Sequence, residues 1–499
     1  MDKEKSIEKL KKHFSDLEYQ DNIINLLSWD MRDRTPRDGI AYRTEMLKYM
    51  EGEKNRLMSD ESVAEAADSL LCVGGLDDIT EAQAKQAKRE YGRRTSVPAE
   101  LWSEYASVNA LSEMAWQEAK EKSDFSIFLP HLEKQISYKK EIARCWGYKD
   151  DPYTGLLDDH EPGITSAQVD ALFSDLRSGV CGILAELKSC GIEPDTSIFN
   201  GHFAKARQKA FIAEMLKRIG YDFNKGLCSE SMHPYTIILG SGDVRQTTCY
   251  YEDDIRRAVI SSIHEGGHTI NAQNMPSRFV HTSFTIGPSA SVNESQSRFY
   301  ENTLGRSREF WSYMLPLFKE HFPEFSGCSA DEFYRAINAV RPCPVRLGAD
   351  ELTYNLHIII RYEIEKAIFN EGVKAAELPD MWKAKYAEYL GVCPSNDSEG
   401  ILSDWHWAVG LFGYFPGYSL ANVYDGMLLQ RMEKDIDVYA LTEKGNFATI
   451  LEWLKTHIYA YGATVPPQQL IESVTGMQLS AKPYIEHLHK RYRDVYKIR

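Results

Sequence analysis

The chain has 499 residues, 43% hydrophobic and 26% charged, with 58 Lys+Arg against 73 Asp+Glu and a net charge of −15. That length allows about two to four ordinary domains or one large helical body, either able to bury a sizeable core. The negative field repels phosphate backbones and anionic lipid, which argues against nucleic acid and membrane surfaces as partners. No apolar run approaches the ~18 residues that cross a bilayer. The opening "MDKEKSIEKLKKHF" lacks the apolar stretch of a secretory signal. The nine cysteines are scattered and form no C-x-x-C pair, so neither a disulfide framework nor a cysteine-held zinc is indicated. A reduced, cytoplasmic setting is the expectation.

Helical periodicity dominates the chain. "SIEKLKKHFSDLEYQDNIINLLSW" carries apolar residues at three- and four-residue spacing and stops at "DRTPRDG". The stretches 83–122, 129–145, 166–188, 204–219, 350–371, 444–458 and 479–495 read the same way, separated by turn clusters such as "CVGGLDD" and "GYKDDPY". No repeat of 20–50 residues is visible. One stretch differs: "HPYTIILGSGDVRQTTCYY", residues 233–251, places two β-branched or aromatic runs around a Gly-Ser-Gly turn and predicts a hairpin. Its strand edge could receive an extended peptide by β-addition, or the hairpin could simply cover the helix that follows.

That helix begins in "EDDIRRAVISSIHEGGHTI". Residues four apart share a helix face, so His264 and His268 can direct two imidazoles at one ion, with Glu265 alongside to act as general base on a metal-activated water. The adjacent Gly266 and Gly267 each cost a helix interior roughly 1 kcal/mol against alanine. They suggest a close approach by another backbone. A catalytic zinc takes a third protein ligand and keeps one position open. The best candidate is Glu294 in "SVNESQSRFYEN", with Arg298 one turn on to hold its carboxylate. Arg346 and Asp350 stand one helical turn apart, as a surface ion pair or as a guanidinium presented to a substrate carboxylate. "GILSDWHWAVGLFGYFPGYSLANVYDG" sets His406, Tyr414 and Tyr418 among glycines and aromatics, either as core or as donors to an oxyanion.

Taken in order, "LLSWD", "HPYT", "DVRQTT", "HEGGH", "ESQSRFYENTLGRS", "VRLGADELTYNLHIIIRYEIEKA", "GILSDWHW" and "FGYFPGYSLANVYDG" resemble the carboxypeptidase Taq family of zinc metallocarboxypeptidases over nearly the whole chain. The resemblance implies a mostly α fold: one large helical body, neurolysin-like, with a deep groove and a small hairpin or sheet at its edge. It implies one peptidase domain over 1–499, with sub-lobes over 1–200 and 201–499, and a homodimer. It further implies release of single residues from peptide C-termini, with broad side-chain tolerance and proline disfavoured. Residue by residue, His264, His268 and Glu294 match the metal ligands and Glu265 the general base. Arg346, with Arg245 as a second candidate, matches the group for the substrate carboxylate, and His406 with Tyr414 or Tyr418 the groups near the scissile carbonyl. Zinc is the expected ion, with Co2+ or Mn2+ able to substitute in the same donor set. The chain departs from the family pattern at Asn293, usually His; Ser403, usually Gln; Ala408-Val409, usually Ser-His; Gly417, usually Thr; and Cys249, usually Arg. Two other readings stand beside it: a zinc oligopeptidase cutting internally in short peptides, and a catalytically silent helical peptide-binding protein.

Overall fold

The computed structural model describes residues 2–498. The fold is mostly helical with one small sheet, as expected. It forms two compact units. The first comprises the chain through Arg94, Asp195–Ile337 and Leu428–Gly476; the second comprises Thr95–Pro194, Asn338–Met427 and the chain from Met477.

Sequence punctuation accounts for the helix ends. Asp254, Ser289 and Asp350 cap the helices Ile255–Gln273, Ala290–Arg298 and Glu351–Lys366, each accepting a backbone N–H with its side chain. A Thr165–Gln168 capping box starts Ser166–Cys190, and Gly191, at φ 65°, ends it. Three expectations need correction. The periodic stretch 83–122 is two helices, Asp78–Ser96 and Ala99–Lys122, because Pro98 lacks an N–H and forces its predecessor out of helical geometry. The stretch 350–371 leaves α geometry after Lys366 for a π turn, Ala367–Glu371. The stretch 444–458 starts late, at Phe447, because Gly445 sits at φ +68° and Asn446 supplies the cap.

The predicted hairpin is present as β2 (Thr236–Ile238) and β3 (Val244–Thr248), antiparallel with Thr236 opposite Gln246 and Ile238 opposite Val244. A third strand, β1 (Cys228–Glu230), runs parallel to β3 on its other side, giving the order β1-β3-β2. Its three residues, Cys-Ser-Glu, carry no β signal of their own.

The sheet is fastened along one face of the Ile255–Gln273 helix. Ser262 bonds Thr248 at 2.6 Å, Glu265 Oε2 accepts from Thr236 Oγ1 at 2.6 Å, and Thr269 Oγ1 donates to Gln246 at 3.1 Å. These positions are spaced three and four apart, so the sheet holds the helix over two turns. Elsewhere in the first unit an aromatic core gathers Phe211, Trp311, Phe318, Phe325 and Phe333. The second unit centres on Tyr153, Tyr362, Trp382, Tyr386, Trp407 and Phe412.

Candidate metal centre and active site

His264, His268 and Glu294 come together in the first unit, with one ligand atom from each within 4.8 Å of the others. Glu294 Oε2 lies 3.8 Å from His264 Nε2 and 3.4 Å from His268 Nε2. Donors about 2.0–2.2 Å from a tetrahedral zinc are about 3.4 Å apart, so this set fits such an ion. All three side chains remain 13–19% exposed, which leaves one side open to solvent.

Each candidate ligand is aimed by a second group. His264 Nδ1 donates to Glu301 Oε2 at 2.8 Å and His268 Nδ1 to Asn293 Oδ1 at 2.7 Å, so both rings turn Nε2 towards Glu294. Arg298 Nε donates to Glu294 Oε1 at 2.9 Å, as expected, leaving Oε2 for the histidines. Arg298 also reaches Glu301 at 3.2 Å. Burial opposes charge on Glu301, yet Arg298 and His264 bring its carboxyl down to about 2. It is therefore a fixed anion behind His264. Asn293, where the family usually has His, supplies a neutral oxygen in the same relation to His268.

Glu301 escaped the sequence reading. It lies two helical turns beyond Glu294, but the chain between them passes from the helix Ala290–Arg298 into a π turn, Phe299–Leu304. That widening resets the faces on which simple periodicity relies.

The paired glycines have distinct partners. A Cβ on Gly267 would lie 2.5 Å from Ser297 Cα and 2.8 Å from the Gln296 carbonyl oxygen, in the backbone of the helix that carries Glu294. One on Gly266 would meet the tip of Leu216 at 2.9 Å. Gly267 thus permits the backbone approach that sets Glu294 beside the histidines, while Gly266 faces yielding side chains of the Lys205–Ile219 helix. Glu265 is buried, with one oxygen held by Thr236 of β2.

Arg245, on β3, pairs with Asp243 through Nε and Nη2 at 2.8 and 2.7 Å and stacks 4.8 Å over Trp29. The blocks "LLSWD" and "DVRQTT" therefore meet in space.

The remaining candidates lie in the second unit. Arg346 does not pair with Asp350, which is occupied in capping the following helix. Its partner is Asp404, reached from Nε at 3.1 Å and Nη2 at 2.8 Å, while Nη1 donates to Tyr354 Oη at 2.9 Å. Arg361, missed in the sequence, binds the other oxygen of Asp404 at 2.6 Å. Burial penalises the Asp404 carboxylate, but two guanidinium groups hold it well below the ordinary range. The trio keeps one net positive charge in a buried setting.

His406 is buried, its Nε2 is 3.4 Å from Tyr418 Oη, and its Nδ1 has no partner. Burial, joined by Arg346 and Arg361 and opposed by Asp404, lowers its pKa to about 3, so it is a neutral imidazole at physiological pH. Tyr414 packs edge-on to His160 at 5.2 Å and to Tyr418 at 5.5 Å.

Comparison with known proteins identifies the family of the chain. Residues 9–492 match the family described as Carboxypeptidase Taq (M32) metallopeptidase. Carboxypeptidase 1 of Bacillus subtilis is 39% identical, the match covering 97% of this chain and 98% of that protein. Thermostable carboxypeptidase 1 of Thermus thermophilus is 34% identical over 94% of this chain and 95% of its own. The crystal structure of the M32 carboxypeptidase from Deinococcus radiodurans superposes with a TM-score of 0.95 at 31% identity, covering 99% of this chain and all of that one. With a two-histidine, one-glutamate cluster and relatives matched almost end to end, this chain belongs to the carboxypeptidase Taq family of metallocarboxypeptidases, hydrolases of peptide bonds that require a divalent metal.

Proposed function

We propose that the chain is a zinc carboxypeptidase that removes single residues from the free C-termini of peptides, with broad side-chain tolerance and proline disfavoured. The observation that carries this reading is the convergence of His264, His268 and Glu294 with Glu265 on the same helix. An ion held by those three side chains supplies Lewis acidity, lowering the pKa of a water and polarising the scissile carbonyl. Glu265 takes a proton from the attacking water and returns it to the amine nitrogen as the C–N bond breaks. Thr236, donating to one oxygen of Glu265 at 2.6 Å, leaves the other to receive that proton.

Arg346, carrying the net charge of its trio with Asp404 and Arg361, is the proposed partner of the substrate's terminal carboxylate. Arg245, already bidentate to Asp243, is the second candidate. His406, a neutral imidazole whose Nε2 faces Tyr418, and the hydroxyls of Tyr414 and Tyr418 are the proposed donors to the carbonyl oxygen in the transition state. The same proposal includes a homodimer and a cytoplasmic site of action, and no described helix is long and apolar enough to cross a membrane.

Mass spectrometry of an N-blocked tetrapeptide incubated with the zinc-loaded protein tests this. We expect stepwise loss of C-terminal residues, no cutting of the amidated peptide, and no turnover by Glu265→Gln, which keeps one equivalent of metal. Internal cleavage would make the chain an oligopeptidase instead. Binding without cleavage would leave a silent peptide-binding protein.

A further inference from the structure

Glu365 is a fully buried carboxylate in the second unit to which none of the roles above is assigned. Three donors surround it. Trp407 Nε1 reaches Oε1 at 2.6 Å, while the Gly413 amide at 2.9 Å and Tyr153 Oη at 2.8 Å share Oε2. Burial pushes its carboxyl up to about 7 against these hydrogen bonds, so the fold keeps a costly group where an apolar side chain of similar volume would pack.

What those bonds secure is the loop that follows Ser403. Trp407 is the neighbour of His406, and Gly413 the neighbour of Tyr414. Arg361, one turn earlier on the same helix, holds Asp404 at the start of that loop. Successive turns of one helix thus grip the loop at Asp404, Trp407 and Gly413, one through a guanidinium and the next through a carboxyl acceptor. Gly413 is fixed from its other side too. It sits at φ +79°, and a Cβ there would lie 2.5 Å from the backbone of Leu156. Its amide is wedged between the Pro152–His160 helix and Glu365.

We propose that Glu365 is a positioning residue: by binding the Trp407 indole and the Gly413 amide it fixes the orientation in which His406 and Tyr414 are presented to substrate. This rests on the roles proposed above for His406 and Tyr414. Tyr153 provides the internal control, because it donates to the same carboxylate but lies outside the loop.

The experiment compares Glu365→Leu, Glu365→Gln, Trp407→Phe and Tyr153→Phe in the metal-loaded full-length protein. Glu365→Leu and Trp407→Phe should lower kcat about ten- to hundredfold with KM nearly unchanged, the scale expected of a misplaced reacting group. Glu365→Gln, which keeps an acceptor, should recover part of the loss, and Tyr153→Phe should stay within about twofold of wild type. A second readout needs no turnover: the indole N–H resonance of Trp407, identified by its loss in Trp407→Phe, should exchange slowly and lie downfield. It should move in Glu365→Leu but not in Tyr153→Phe. Equal kcat losses in Trp407→Phe and Tyr153→Phe would reduce Glu365 to core filling, and a freely exchanging indole in the wild type would remove the clamp. If Glu365→Leu does not fold, the Trp407 and Tyr153 pair decides. Failure of the carboxypeptidase reading shows separately, as a wild type that releases no C-terminal residue while its Trp407 signal is anchored as expected.

Discussion

Two buried clusters of charge, one in each unit, solve the same electrostatic problem differently. In the first unit, His264, His268, Glu294, Arg298 and Glu301 lie within 38 residues of sequence, on two helices brought into backbone contact at Gly267 and the π turn that continues the second. In the second, Asp404 lies between Arg346 and Arg361, 58 and 43 residues away from it. The first cluster keeps His264, His268 and Glu294 13–19% exposed and gives Nδ1 of both histidines and Oε1 of Glu294 partners of their own. The second is closed by its own counter-ion and keeps one net positive charge. On the proposed roles, a site that takes up an ion keeps one face open to solvent, whereas one that attracts a carboxylate can meet most of its needs internally.

The sharpest way to break that contrast is to remove a ligand. Glu294→Gln leaves Arg298 with Glu301 as its one remaining carboxylate and offers the two imidazoles a neutral amide in place of an anionic third donor. Metal affinity should fall by more than the ~10–100-fold lost when an outer partner is removed. Chelator competition measures it, and unchanged affinity would take Glu294 out of the ligand set.

The second cluster should respond in stability rather than in metal content. Asp404→Asn strands two buried guanidinium groups, and losing one partner of a buried ion pair costs about 3–5 kcal/mol. The thermal midpoint should drop by several degrees while metal per folded molecule stays at the wild-type value. A variant as stable as wild type would mean that solvent already screens the arginines.

These two clusters also differ in how far the sequence reveals them. HEGGH and a nearby glutamate expose the candidate metal set because helix geometry converts a four-residue spacing into a shared face. Arg298 follows by the same rule. Glu301 does not, since a π turn intervenes. No local spacing links Arg346 to Asp404, and the nearest acid at helical spacing, Asp350, is occupied as a cap. The long helices were legible because they repeat an apolar period over many turns; β1, with three residues and no pattern, was not. Pairing across dozens of residues depends on tertiary packing, which periodicity does not record.

The glycine pair gives a smaller, graded test. Gly267→Ala sets a methyl against backbone atoms of Ser297 and Gln296, and forcing such an approach costs about 1–3 kcal/mol while moving Glu294. Gly266→Ala meets side-chain ends of Leu216 and Ile219 rather than backbone, so a gain in helix propensity of up to about 1 kcal/mol offsets the crowding. Metal affinity should weaken in the first and hold in the second. If both variants bind metal equally well, the close approach at Gly267 does not set the ligand geometry.

The smallest effect is a proton. Burial disfavours the charged form of His264, but Glu294 and the bond to Glu301 outweigh it and raise its pKa from the ordinary 6.5 to about 9. In the metal-free protein this contributes stability that is complete below pH 6.5 and is lost as the pH rises through about 9. Ligation requires the neutral ring, so metal uptake near neutral pH should release about one proton from His264. Calorimetry in buffers of different ionisation enthalpy counts it. The count attributable to His264 should fall towards zero above pH ~9, whereas ionisation of a bound water would make release increase with pH. A release that only grows with pH would show that Glu294 and Glu301 do not hold an imidazolium, and the electrostatic contrast between the two clusters would narrow to one of solvent exposure.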